Sequence, residues 1–385
     1  MSRLVSGNRI VLLENGEAYF PDVLAAIDAA EREVHLETYI FEDDATGRRV
    51  ADALRRAAAR GVTVRVMVDG FGARPFVDGM MSGLEAGGVE VLVYRREMRA
   101  WRFRRHRLRR LHRKIVTVDR RVAWVGGINV IDDFTENESP FPRFDYAVRV
   151  EGPLVAAIVH AVHRLWWLVS WAHLRRRGTL PRWPEPRPGP VGDVRAAFVL
   201  RDSLGHRRDI EVAYRTAIRG ASDEIIIACA YFFPGRSFRQ ALVDAAARGV
   251  RVTLLLQGLT DHPILAYATR ALYPYFLQHG VRLFEYHRSH LHAKVAVVDG
   301  RWATVGSSNI DPFSLMLARE ANVVVEDIGF AGELRASLLR AIEDGATELR
   351  RQDWEGQSRL RRMLTWFAYQ LVRLAIGMAG FGGRH

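Results

Sequence analysis

The segment His112-Arg-Lys114-Ile-Val-Thr-Val-Asp119 returns 180 residues later as His292-Ala-Lys294-Val-Ala-Val-Val-Asp299. The same offset relates the turns that follow, Gly126-Gly127-Ile128-Asn129 and Gly306-Ser307-Ser308-Asn309. Upstream, Ala57-Ala-Ala-Arg60-Gly61-Val62 recurs as Ala245-Ala-Ala-Arg248-Gly249-Val250, and Tyr39 has a partner in Tyr231, each closing an apolar run. A two-copy repeat of this length is too long for a solenoid unit. The chain is therefore expected to fold as two similar domains facing each other across a pseudo-twofold axis.

Lys114 and Lys294 are the only lysines among 56 basic side chains; the rest are arginine. In a chain so biased, two positions that stay lysine suggest that a point-charge ammonium is needed there, because the guanidinium fork is a different tool. Alternation of apolar runs with helical patterns supports an α/β fold. Strands are predicted at 33–41, 62–68, 89–94, 114–118 and 122–125, and helices at 21–32, 47–60 and 153–174. The second half repeats most of them, with helices at 210–219 and 238–248. The run from Pro181 to Pro190 can neither supply sheet donors nor continue a helix, so it reads as a linker. The expected division is an N-terminal domain at 1–178, a linker at 179–195, a C-terminal domain at 196–350 and a tail at 351–385.

His-x-Lys-x4-Asp-x6-Gly-[Gly/Ser]-x-Asn, present twice and complete, resembles the signature of the phospholipase D superfamily, and the resemblance covers nearly the whole chain. Gly-Gly-Ile-Asn129 with Arg143-Phe-Asp145, and Gly-Ser-Ser-Asn309-Ile-Asp311-Pro-Phe-Ser314 with Arg319-Glu320, are similar to the bacterial cardiolipin synthases. The absence of an N-terminal hydrophobic region points to the shorter B type. The resemblance implies two α/β/α sandwich domains of the phospholipase D fold with the active site at their interface.

Elementary chemistry agrees. Two imidazoles brought together can divide phosphodiester exchange into two steps, one attacking phosphorus and the other protonating the leaving alcohol, and neither step calls for a metal or cofactor. Such a pair should give a bell-shaped pH dependence around the unperturbed histidine value of about 6.5. A downstream carboxylate in each half is the candidate to fix each histidine's tautomer. Asp145 and Glu320, 33 and 28 residues after His112 and His292, match the family's acids for this work. Lys114, Lys294, Asn129 and Asn309 are candidates to donate to the phosphate oxygens. Asp119 and Asp299, also within the motif, are expected to brace the strand-turn-strand from behind. Tyr39, Tyr231, Gly127, Ser307 and Ser308 are candidate substrate contacts, with the two tyrosines equally suited to the core. In the family's pattern His112 attacks and His292 is the acid, though near-symmetry leaves the reverse open.

From Gly88 to His112 is 24 residues, whereas the equivalent Gly280 to His292 is 12, so the first copy carries an insertion. It falls in the run Arg95 to His112, which holds ten arginines if extended to Arg113 and interleaves them with Trp101, Phe103, Leu108 and Leu111. We read it as an anionic head-group funnel, with Arg105 and Arg109 as candidate contacts. The net charge of +12 makes the partner anionic, lipid or nucleic acid. The apolar and aromatic stretch 165–171 and the basic amphipathic segment 359–381 favour lipid, the latter lying in the interface or docked on its own domain. One cysteine excludes a disulfide framework, the cluster His287, His290 and His292 makes a weak metal site, and neither lysine follows a glycine as a P-loop requires. Exchanging one phosphodiester for another needs little free energy, which fits the lack of a nucleotide site. The expected reaction is phosphatidyl transfer between two phosphatidylglycerol molecules through a phosphohistidine, by a peripheral protein on the cytoplasmic face of a bacterial membrane. Hydrolysis to phosphatidic acid, phosphatidylethanolamine as one donor, and a phospholipase D-family nuclease stay open.

Overall fold

The computed structural model describes residues 3–95, 109–134, 140–172, 188–202, 205–259, 263–311 and 318–352, together with 363, 365, 367, 369–372 and 374. The first half runs β1 (Val5–Glu14), α1 (Asn15–Asp28), β2 (Glu33–Thr38), α2 (Ala45–Ala59), β3 (Thr63–Asp69), α3 (Arg74–Gly79), α4 (Met81–Ala86), β4 (Glu90–Tyr94), β5 (Arg110–Leu111), β6 (Lys114–Val118), β7 (Val122–Gly126), β8 (Tyr146–Glu151) and α5 (Val155–Ala172). The second half follows with β9 (Val194–Arg201), α6 (Asp209–Gly220), β10 (Glu224–Cys229), α7 (Arg236–Ala247), β11 (Arg251–Gln257), α8 (Pro263–Arg270), α9 (Tyr273–Gln278), β12 (Arg282–Tyr286), β13 (Lys294–Val298), β14 (Trp302–Gly306), β15 (Ala318–Glu326) and α10 (Ile328–Gly345). An edge strand, β16 (Ala346–Leu349), ends it.

The repeated Ala-Ala-Ala-Arg-Gly-Val is a helix stop. Gly61 and Gly249 adopt φ of +88° and +93°, a conformation that costs glycine nothing. Val62 N and Val250 N then donate back to the carbonyls of Ala57 and Ala245. At the other end of α2, Asp44 caps Gly47 N at 2.7 Å. Inside, Val50, Leu54 and Ala57 of α2, and Phe238, Leu242 and Ala245 of α7, face the sheet.

Strands β2, β3 and β4 are parallel, and β6 returns antiparallel beside β2 with Glu37 opposite Ile115. His112 therefore stands at the carboxyl ends of the parallel strands, the end at which α/β sheets bind ligands. The second half has the same arrangement, with Ala228 of β10 opposite Val295 of β13. The strand order is β4-β3-β2-β6-β7-β8-β1 followed by β9-β15-β14-β13-β10-β11-β12-β16, a mirror about the β1–β9 seam. Val5 pairs with Ala196 and Asn8 with Val194, and the Asn8 amide donates to both Val5 O and Val194 O. The halves also share one hydrophobic core, in which Val148, Val150 and Ile158 meet Phe198, Val323 and Leu334. The two sandwiches are thus sewn into one continuous sheet.

Helix α1 begins at Asn15, earlier than expected, with Pro21 inside it rather than at its start. Tertiary contacts set the boundary: Asn15 N donates to Asp145 O and Gly16 N to Asp133 Oδ2. Residues 179–187 of the expected linker lie outside the described residues, and Val191 N, just before β9, bonds Gly7 O. Helix α5 is long and apolar enough to cross a membrane, but Leu165, Trp166 and Val169 pack on Met67, Leu92 and Leu111, so its inward face is core. One face of the described tail docks: Val372 is buried and Tyr369 meets the Phe233 ring at 5.5 Å.

One difference between the copies lies just beneath the site. Arg113 forks onto Glu37, Nη2 to Oε1 being 2.7 Å, with both side chains buried; the equivalent positions in the second half are Ala293 and Ala228. Arg113→Ala should destabilise the chain by about 3–5 kcal/mol, because it strands a buried carboxylate. The double variant with Glu37→Ala should recover part of that loss. Urea unfolding of the three chains measures both effects.

Candidate active site

The two histidines are held crosswise. His112 N donates to Arg319 O at 3.0 Å, an extension of the parallel pairing of β5 with β15. Its side chain thereby meets Glu320, with Nδ1 at 2.9 Å from Oε1 and 3.1 Å from Oε2. His292 N donates to Phe144 O at 2.8 Å and its Nδ1 to Asp145 Oδ2 at 2.5 Å. Each half's acid therefore orients the other half's histidine. With Nδ1–H bound to a carboxylate, the lone pair of each imidazole lies on Nε2, the tautomer needed for attack or proton exchange.

The acids are supported differently. Glu320 is fully buried and accepts from Ser307 Oγ at 2.5 Å, and Ser307 Oγ itself accepts from Ala321 N. Asp145, one methylene shorter, has Gly127 in the equivalent place, where a Cβ would come within 2.3 Å of its Oδ1. Asp145 Oδ1 accepts from Tyr146 N, while Asn15 holds the Asp145 backbone on both sides through its own N–H and its Oδ1. Gly127 and Ser307, expected as substrate contacts, thus accommodate and hold the acids. Ser308 is buried, with its hydroxyl on Asn309 O.

Both lysines are buried and turn their ammonium groups toward the histidine backbone, Lys114 Nζ donating to His112 O at 2.8 Å and Lys294 Nζ to His292 O. Lys294 Nζ also lies 3.6 Å from Asp145 Oδ2 and 2.7 Å from His292 Nδ1. Burial pushes Lys114 down to about 7, helped by the charge of Lys294, and Lys294 down to about 8. Burial raises Asp145 to about 6 and holds His292 well below its ordinary value, where repulsion from Lys294, Arg143 and Lys114 adds to the effect. His112 is also lowered by burial, against the opposing pull of Glu320. The result is a cation-rich pocket in which neutral imidazoles are favoured until an anion enters.

Asn129 accepts from Ile40 N through Oδ1 at 3.1 Å, so its amide donors are the part suited to a phosphate oxygen. Asn309 Oδ1 lies 4.0 Å from Cys229 Sγ, a thiol pushed up to about 12 by burial and so poorly suited as a nucleophile. Tyr39 is half-buried, its ring 4.8 Å from that of His112 and 5.4 Å from Lys114 Nζ. Tyr231, also half-buried, follows β10 at the same end of the sheet. Asp119 and Asp299 sit at the far ends of β6 and β13 in left-handed turns, φ +50° and +51°. Their carboxylates accept three backbone N–H groups each, from residues 31–33 and 222–224, and so brace the entries to β2 and β10. Arg109 stands half-buried beside β5, whereas Arg105 lies outside the described residues.

Among the described residues one trio has metal-binding donors, Glu33, His35 and His163, with ligand atoms within 4.8 Å of one another. Two guanidinium groups already serve it: Arg120 forks onto Glu33, each bond 2.9 Å, and Arg65 Nη1 lies 3.3 Å from His35 Nε2. Positive charge stands where a cation would have to sit, so the trio reads as an ion-pair network. Arg143 and Asn15 were missed as site residues. Arg143 carried a signal, two places before Asp145; the role of Asn15 depends on a contact across the sheet.

Comparison with known proteins places this geometry. Residues 23–139 and 214–342 match the family described as "Cardiolipin synthase, PLD-like domain". Cardiolipin synthase B of Escherichia coli (strain K12) is 42% identical over 341 residues, covering 86% of this chain and 80% of that protein. The probable cardiolipin synthase YwiE of Bacillus subtilis (strain 168) is 30% identical over 322 residues, covering 83% of this chain and 63% of that one. The crystal structure of phosphatidylserine synthase from Haemophilus influenzae Rd KW20 superimposes with a TM-score of 0.73 at 10% identity, covering 99% of this chain and 97% of that one, a likeness of fold.

Proposed function

The chain belongs to the cardiolipin synthase family with phospholipase D-like domains, and from that premise we propose that it joins two phosphatidylglycerol molecules into cardiolipin with release of glycerol. The crossed pairs His112–Glu320 and His292–Asp145 carry this reading, because they leave two Nε2 atoms for one phosphate. One Nε2 attacks phosphorus, forming a P–N bond as the bond to the glycerol head group breaks, and the departing alkoxide takes the proton of the other imidazole. A hydroxyl of a second phosphatidylglycerol then gives its proton to that imidazole and attacks phosphorus, breaking the P–N bond. Lys114, Lys294 and the amides of Asn129 and Asn309 offset the charge that builds on the oxygens. The family pattern gives attack to His112. Burial lowers both histidines, and the reverse assignment fits the same balance.

The test is to incubate the protein with phosphatidylglycerol vesicles in EDTA and resolve lipids and released alcohol. Cardiolipin with equimolar glycerol is the expected product. Phosphatidic acid would make the chain a hydrolase, and no lipid turnover would overturn the proposal and redirect it to single-stranded nucleic acid. The lipid reading also makes this a membrane-associated protein, peripheral on the cytoplasmic face.

The pH dependence follows from the buried charges. Turnover needs one proton on the imidazole pair, and burial lowers both imidazoles, so kcat/KM should peak below the free-histidine value of about 6.5. A second decline should appear between about 7 and about 8 as Lys114 and then Lys294 lose their protons. The bound phosphate is an anion that favours every protonated cation around it, so the kcat profile should lie to the alkaline side of the kcat/KM profile. Initial rates across pH at low and saturating lipid read out the displacement and its sign.

A further inference from the structure

Among the described residues, every exposed phenylalanine or tryptophan lies at one end of the molecule: Phe71, Phe134, Phe141, Trp171 and Phe367. Phe71 follows the carboxyl end of β3, and Phe134 and Phe141 belong to the connection from β7 to β8 that delivers Asp145. Trp171 is in the last turn of α5, which runs back toward the site from the far end of β8. Phe367 belongs to the docked tail, whose Tyr369 sits on Phe233 just beyond β10. This is the end that carries His112 and His292. The opposite end exposes an aliphatic side chain, Ile328 at the start of α10.

Two of these rings carry a guanidinium. Arg110, two places before His112, lies 4.9 Å over Phe71, and Arg288, four places before His292, lies 3.9 Å over Phe141. Arg110 Nη1 is buried with no hydrogen-bond partner among the described residues, a donor ready for an anion. In the tail, Met363, Phe367, Leu371 and Leu374 are exposed along one helical stripe, while Thr365 and Val372 are buried. A ring that enters hydrocarbon beneath an arginine that stays with phosphate is the arrangement an anionic bilayer interface selects.

We propose that the active-site end is the membrane-docking face, with Phe71 and Phe141 inserting on either side of the catalytic mouth, Arg110 on a lipid phosphate while Arg288, paired with Asp344 at 3.4 Å, backs the Phe141 ring, and Trp171 and the Phe367 stripe steadying the rim. The inference rests on the reading of the site as one that acts on lipid. It adds that both lipids enter from the leaflet directly beneath the site.

The test uses the full chain with both catalytic histidines replaced by alanine, so that binding does not alter the vesicles. On vesicles of phosphatidylglycerol and phosphatidylcholine, Phe71→Ser with Phe141→Ser should lower partitioning about tenfold or more, since two rings no longer leave water. Ile328→Ser should leave partitioning unchanged. Brominated phosphatidylcholine should quench tryptophan fluorescence, and Trp171→Phe should remove much of that quenching. Equal losses for the Phe pair and Ile328, or quenching indifferent to Trp171, would overturn the docking face, as would loss of single-stranded RNA binding in the Phe pair with vesicle binding intact. A wild-type chain that docks this way yet turns over no lipid would sink the catalytic reading and leave the face standing. Turnover of short-chain monomeric phosphatidylglycerol without quenching would do the reverse.

Discussion

Replacing His112 or His292 by alanine is expected to remove phosphatidyl transfer, a fall of about 10⁴-fold or more, since each change deletes either the nucleophile or the proton carrier. Asparagine at either position should be as inactive, and it is the more telling variant. Its amide can still donate to the acid that faced Nδ1, so Glu320, fully buried, is not stranded, yet it offers no Nε2. Lipid product analysis alongside thermal melts separates lost chemistry from a lost fold. An asparagine variant that melts like the parent and still makes cardiolipin would remove the histidine from the mechanism.

The second large effect concerns the crossing. Glu320→Gln and Asp145→Asn should each cost about 10²–10⁴-fold, because the histidine loses the partner that fixes its tautomer. A phosphatidyl ester with a good leaving group, such as a nitrophenol, makes protonation of that group unnecessary. On it, the variant lacking the acid histidine still forms phosphohistidine, and the variant lacking the nucleophile does not. The crossed bonds predict that Glu320→Gln sorts with His112→Ala and Asp145→Asn with His292→Ala. Gly127→Ala, whose methyl would occupy the place of Asp145, should sort with Asp145→Asn. If the acids served their own halves, the sorting would be inverted. Acid-labile phosphohistidine, detected by radiolabel from the lipid phosphate, is the readout.

What the residues disclosed in advance was whatever depends on local pattern. The duplicated motifs, the strands 114–118 and 294–298 that follow the histidines, and the helix stops at Gly61 and Gly249 all follow from spacing and backbone chemistry. Asp119 and Asp299 were expected to brace the strand-turn-strand that carries them; their carboxylates hold the chain entering β2 and β10 instead, a partner distant in sequence that local pattern does not name. Which acid meets which histidine was not legible either, since it depends on β5 lying beside β15 and Phe144 beside Leu291. The same holds for the early start of α1, imposed by Asp145 and Asp133 from across the sheet. Gly127 and Ser307 looked interchangeable as turn residues. Only the lengths of the acids behind them explain why one copy leaves an empty space and the other supplies a hydroxyl.

The seam between β1 and β9 bears on the chain's history. In a pair of identical subunits any substitution appears twice, so both histidines would keep equivalent surroundings and the unbound protein could not tell attacker from proton donor. Two copies in one polypeptide can drift separately: aspartate with glycine in one and glutamate with serine in the other, a buried ion pair beneath one histidine and alanines beneath its twin. Fusion is thus what allows a division of labour to become heritable, while the crossed acids ensure that neither copy can be lost without disarming the other.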